Sequence, residues 1–445
     1  MSRPASQSAY LAGLVPPSVA ATGVRRRSLL TGALAGAGLL GAGGLLGGCA
    51  SADAVVPAAG DGIVKFGSNQ SDDVPRKAYE EIVAGFDRPG LTVVTNTVDH
   101  NAFQENINNY LLGQSDDVFT WFAGYRMQFF AEQGLVGDIS EIWQTMTGMT
   151  DALRTASSGR DGRQYFVPLD YYPWAVFYRP SLFEEHGYRI PATLDEMVVL
   201  GEQMQAAGLI PLAFADQEGW PAMGTFDQLN LRLNGFDYHM SLMTGRESWD
   251  GQPARRVFEL WRDLMPLHQT NPLQRTWQDG AAALERKQAG MMVMGMGLVG
   301  HQFADANRDD LDFFAFPQID AAIGTGAVEA PIDGFMMRAF PRNRPGALEF
   351  LSYLAEPATQ RIYTTADTTV VAANSETDTS GYTALQRKAR QFVDDATDIA
   401  QFMDRDTRPD FASAVLLPAI QQFLADPAGL TGTLSVIESR RRDFF

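Results

Sequence analysis

The chain has 445 residues, 45% hydrophobic and 11% aromatic, with a formal net charge of −18. Residues 1–48 hold four arginines and no acid, so the remainder carries −22, which repels nucleic acid and anionic lipid and excludes both as ligands of the body. The length exceeds the size at which one hydrophobic core stops growing, so two lobes are expected, and a single cysteine excludes an internal disulfide.

That cysteine, Cys49, follows Leu46-Gly47-Gly48 at the end of an apolar, small-residue run behind Arg25-Arg26-Arg27. A basic cluster, an apolar stretch and small residues are the three parts of an export signal. Leu46-Gly47-Gly48-Cys49 resembles the bacterial lipobox, which would make residues 1–48 the removed signal and Cys49 the lipidated N-terminus. Arg26-Arg27-Ser28-Leu29-Leu30 resembles the twin-arginine export motif; read otherwise, the pair is plain positive charge for the general secretory route. A transmembrane helix over 29–46 competes, but the run is rich in weakly inserting Gly and Ala. Residues 49–61 lack periodicity and read as a lipidated tether, after which no segment is apolar for long enough to span a membrane.

The body opens on a short strand at 63–66, a polar loop, and a helix over 76–86 with apolar Tyr79, Ile82, Val83 and Phe86 at spacings of three and four. A strand at 91–98, a helix over 102–112, a strand at 117–122 and a helix over 125–133 continue the alternation, which predicts a parallel, doubly wound sheet. Ligands on such sheets bind at the carboxyl ends of the strands. The second half begins near Pro168 with a strand at 175–178, followed by helices over 181–186 and 193–207, the latter opened by a Thr193/Glu196 capping box. A strand at 209–214, helices over 226–233, 253–267 and 276–287, strands at 290–296 and 311–316, and helices over 345–354, 384–403 and 411–424 complete it.

Gly162, Tyr165, Pro168, Tyr178, Phe183, Gly187, Pro191, Thr193 and Glu196 fall in the order and spacing of a run shared by extracellular solute-binding proteins of ABC sugar importers, the maltose-binding-protein-like family 1. Arg179 replaces the usual Asn and Leu194 the usual Trp. Ala131-Glu132-Gln133-Gly134-Leu135-Val136, Ala289-Gly290-Met291-Met292 and the 347–354 segment match further steps, so the resemblance runs from about Ile63 to the C-terminus. It implies an α/β fold of two lobes, each a doubly wound sheet flanked by helices, joined by three crossovers and closing on a ligand like a clamp. By the matching positions the crossovers fall near Asp170, Ala315 and Ala355, giving one lobe of residues 62–170 and 315–355 and another of 171–314 and 356–445. The implied partners are a sugar or oligosaccharide and a membrane permease, with a monomeric receptor held at the outer face of the membrane by its lipid. No cofactor or metal is implied.

A sugar site needs aromatic plates for ring faces and short, fixed polar groups for hydroxyls. The strand ends supply Asn69, Gln70 and Asp72, then Asp99 and His100, then Trp121. Asp170, Tyr171, Tyr172 and Trp174 gather at the first crossover, with Tyr172 and Trp174 on one face and Tyr171 opposed. Trp220 sits in a Gly-Trp-Pro loop, Met296 ends a strand, and Asp333-Gly334-Phe335 resembles a family turn facing the cleft. Asn69 and Asp72 serve equally as helix caps, and Trp121 reads as readily as core.

An exported glycosidase is the enzyme alternative, but adjacent acid pairs arise freely among 53 acids, and neither Gly-x-Ser-x-Gly nor His-Glu-x-x-His occurs. Among binders, Tyr171-Tyr172 admits ferric iron, and Asp72, Asp99, Asp170 and Asp333 admit a polyamine.

Overall fold

The computed structural model describes residues 62–113 and 115–445; the export signal, Cys49 and the tether expected from the sequence lie outside them. Two six-stranded sheets organise the chain. The first joins β1 (Ile63–Ser68), β2 (Thr92–Thr97), β3 (Val118–Phe122), β4 (Val167–Tyr171), β10 (Ile332–Met337) and β11 (Val371–Ala372) in the order β11-β4-β10-β3-β1-β2. The second has β5 (Trp174–Tyr178), β6 (Ile210–Ala213), β7 (Ala289–Gly295), β9 (Ala327–Glu329) and β12 (Asp398–Ala400) in the order β12-β9-β5-β7-β6, with β8 (Asp312–Phe314) paired to β5.

Alternation fixes which face of β1 is buried: Val64 and Phe66 are both fully inaccessible, and Phe66 lies 5.5 to 5.9 Å from the rings of Tyr79, Phe335 and Phe350. Tyr79 comes from the helix Asp73–Ala84 and Phe350 from Arg344–Ala355, so one aromatic cluster fixes two helices to the sheet. The capping box expected at Thr193 is present, reciprocal with Glu196, and starts the helix Leu194–Ala206. The helix expected over 102–112 is two, His100–Glu105 and Ile107–Leu112, parted at Asn106.

The first sheet is mixed rather than wholly parallel. β1 runs parallel with β2 and β3, but β10 pairs antiparallel with both β3 and β4 because it enters from the other lobe. The chain passes between sheets three times. One passage is Tyr172-Pro173, between β4 and β5; the second is Ala330-Pro331, between β9 and β10, well after the Ala315 expected. The third lies between β11 and β12 rather than near Ala355, since the helix Pro357–Ala366 and β11 still belong with the first sheet. The helix Ala384–Asp394 makes that passage and binds both sides: Gln386 donates to the carbonyls of Thr364 and Val370, and Lys388 pairs with Asp312 on β8 at 2.6 Å.

Candidate ligand-binding site

Strand register builds one wall of a cavity between the sheets. Phe122 on β3 pairs with Asp333 on β10, and Asp333 pairs with Asp170 on β4, so three adjacent strands present one row at the end that faces the second lobe. Beside the row stand Gln70 after β1, His100 and Gln104 from the helix after β2, and Arg126 from the helix after β3. The opposite wall is aromatic. Trp174 opens β5, Trp220 precedes the helix Pro221–Asn234, and Phe402 precedes the helix Met403–Asp406; Trp174 and Phe402 are 4.9 Å apart, Trp220 and Phe402 6.4 Å. Gly297, Leu298 and His301 from the helix Met296–His301, with Tyr172, Tyr363 and Val370, complete the lining.

The buried cations here are answered locally. Arg405 donates to Asp333 at 2.8 Å and to the carbonyl of Ile332, while Arg126 pairs with Asp404 at 3.0 Å. Both guanidiniums lie over Phe122, at 4.3 and 4.7 Å from its centroid, so the ring carries a cation against it from each residue. His301 bonds Asp367 at 2.8 Å. Burial pushes the Asp367 carboxyl up, but His301 and Thr369 outweigh it and hold it below its usual range. Burial takes the His100 imidazole down to about 4, so at neutral pH it is uncharged.

Contacts also cross the cleft directly. Gln302 donates to Asp72 Oδ2 at 3.0 Å, and the Trp220 indole reaches Asn101 Oδ1 at 3.4 Å. These bonds join side chains of opposite lobes, and the arrangement is that of a clamp with its jaws together.

Of the residues singled out from sequence, Gln70, His100, Asp170, Tyr172, Trp174, Trp220 and Asp333 line the cavity. The others do not. Asn69 is locked to Thr120 beneath the floor; Asp99 caps the helix His100–Glu105 through Ala102 N. Asp72 occupies the N-cap position of Asp73–Ala84 without a capping bond, its carboxylate turned to Gln302. Trp121 is core, packed on Phe103 and Phe130, because the strand turns its neighbour Phe122 to the cleft. Tyr171 packs away from Tyr172, as alternation requires. Met296 is fully buried, Gly334 is pressed against Phe166 and Val167, and Phe335 belongs to the Phe66 cluster. Gln104, Phe122, Arg126, His301, Phe402, Asp404 and Arg405 were not singled out from sequence; Phe122 reaches the site from β3, the others from helices and from the final third of the chain.

The family model described as bacterial extracellular solute-binding protein matches residues 71–361. An uncharacterized ABC transporter extracellular-binding protein of Pyrococcus horikoshii is 23% identical over 57% of this chain and 57% of its own length. A probable sugar-binding periplasmic protein of Mesorhizobium japonicum is 25% identical over 50% of this chain and 54% of its own. The match thus spans little more than half the length of these curated relatives. Among solved structures, the bacterial solute receptor AcbH, described as having an exclusive preference for β-D-galactopyranose, superposes with a TM-score of 0.84. It is 41% identical, over 87% of this chain and 100% of that one. A chitin oligosaccharide binding protein, 20% identical over 85% of this chain and 98% of its own, shares the fold with a TM-score of 0.77.

Proposed function

The chain belongs to the bacterial extracellular solute-binding protein family, and from that premise we propose that it captures one neutral sugar ring between its sheets and delivers it to an ABC permease. The observation that carries this reading is the make-up of the cavity: indole and phenyl plates on one wall, charge-balanced hydrogen-bonding groups on the other. The 41% identity to a receptor described as preferring β-D-galactopyranose makes D-galactose the first ligand to try.

The pairing of charges speaks against a cationic ligand. A polyamine would need several free carboxylates, yet Asp333 is paired with Arg405, Asp99 is spent on a helix cap and Asp72 is turned to Gln302, which leaves Asp170 alone. Ferric iron would need Tyr171 and Tyr172 together, and they face apart. The reading is of a receptor that breaks no bond, working as a monomer and held at the outer face of the cytoplasmic membrane by lipid on Cys49 and the 49–61 tether.

Calorimetric titration with D-galactose, and with maltose and chitobiose for comparison, tests the ligand. Saturable binding of the monosaccharide alone is expected, and at 100 to 1,000 times Kd it should raise stability by about 2.7 to 4.1 kcal/mol. Preference for the disaccharides, or turnover of a galactoside, would overturn the reading. Mass spectrometry of the mature N-terminus tests the anchor.

A further inference from the structure

Asp170 and Asp333 line the cavity, Asp367 is near enough to act on Asp170, and the groups that answer charge there serve only two of the three. Asp333 receives Arg405 at 2.8 Å, and Asp367 receives His301 at 2.8 Å. Asp170 is left over. Only 2% of it is exposed, its Oδ1 has no hydrogen-bond partner, and its backbone is fixed between Asp333 on β10 and Ala372 on β11. The cation that acts on it, Arg405, is already committed to Asp333, to the carbonyl of Ile332 and to Tyr172. The other titratable groups it acts on or that act on it are Asp367 and the hydroxyls of Tyr79, Tyr172, Tyr363 and Tyr382, none of which brings positive charge. An unpaired carboxylate in such a place loses its hydration and gains nothing in return.

We propose that Asp170 stands in the site as a neutral acid and donates its proton to an oxygen of the bound sugar, selecting an acceptor where Asp404 and Asp333 select donors. The inference rests on the sugar-receptor reading above. Burial first, and then the charges of Asp333 and Asp367, push the Asp170 carboxyl well above the carboxylate range. Because the shift is upward, the acid keeps its proton to higher pH than an exposed carboxyl would, and its eventual ionisation sets an acceptor against the sugar oxygen. A buried donor of this kind sharpens specificity, since a ligand without an oxygen at that point leaves the acid unsatisfied.

Two measurements on the full chain decide it. Infrared difference spectra of ligand-free wild type against Asp170→Asn at pH 7 should contain the carbonyl band of a protonated carboxyl; a carboxylate band in its place overturns the proposal. D-Galactose is then titrated into wild type, Asp170→Asn and Asp170→Ala, each checked for folding by circular dichroism. The amide keeps a neutral donor, so Asp170→Asn should bind at least tenfold more tightly than Asp170→Ala and with a Kd independent of pH from 6 to 9. Equal affinities for the two variants would overturn the donor role. Wild type that ignores D-galactose would instead sink the choice of sugar, while the infrared band still reports the charge state of Asp170.

Discussion

Gly224 and Trp174 approach so closely that a Cβ on the glycine would overlap the six-membered ring of the indole, with Cη2 only 2.7 Å away. Gly224 lies inside the helix Pro221–Asn234, where glycine is a poor residue on propensity alone. Its presence lets the plate of the aromatic wall seat against the helix. Gly224→Ala is therefore expected to drive Trp174 toward the cavity, lowering affinity for D-galactose tenfold or more in calorimetry. Overpacking of this kind costs about 1–3 kcal/mol, so the melting temperature falls too, and saturating ligand recovers little of it.

Trp220 and Trp261 make a contrasting pair. Trp220 is half-buried at the cavity mouth, whereas Trp261 is inaccessible and packs on Phe258 and Phe423. Trp261→Ala should cost about 3–5 kcal/mol of stability. Trp220→Ala should leave the melting temperature nearly unchanged while weakening ligand binding, and a comparable loss of stability in both variants would make Trp220 core.

The Gln302 to Asp72 bond spans the cleft, and neither residue lines the cavity. Gln302→Ala should weaken affinity by about 1 kcal/mol, roughly fivefold, with the change falling in the dissociation rate because the jaws reopen sooner. Stopped-flow traces with unchanged dissociation would contradict that role.

His268 is half-buried, its ring 4.4 Å from that of Phe214 and its Nδ1 inaccessible and unpartnered, and desolvation takes its imidazole down to about 4. The unfolded chain takes up the proton near pH 6.5 and the folded chain does not until about 4. Stability should therefore decline as pH falls through that window, by on the order of 3 kcal/mol. Thermal melts of His268→Gln from pH 7 to 4 should show a shallower decline than wild type.

How far the sequence carried the site depended on how each residue reaches it. Gln70, His100, Asp170 and Trp220 sit at or just beyond strand ends, or in a loop next to a strand, where periodicity and turn signals point. Phe122 was missed by one position: the alternation was right and the face was not, since an all-buried strand looks the same from both sides. Arg126, Asp404 and Arg405 were missed for another reason. A charged residue on a helix reads as solvated, and the partner of Arg126 is an aspartate 278 residues away, just past a segment, 384–403, that the sequence reads as one helix. That segment is a helix, β12 and a short helix, which brings Phe402 and its charged neighbours back to the cleft. The crossovers slipped likewise, because short strands such as β9 and β11 carry too few residues for a periodic signal.

Tyr172 is both a cavity residue and half of the two-residue link between β4 and β5. On the proposed function a bound sugar would press beside this link, and any opening of the two sheets about it would be largest at their far ends. For an optical sensor, that places the dyes away from the sugar: one at exposed Val94 on the outer strand of the first sheet, one at exposed Val436 on the last helix. Fluorescence transfer between them would report occupancy without either label touching the site.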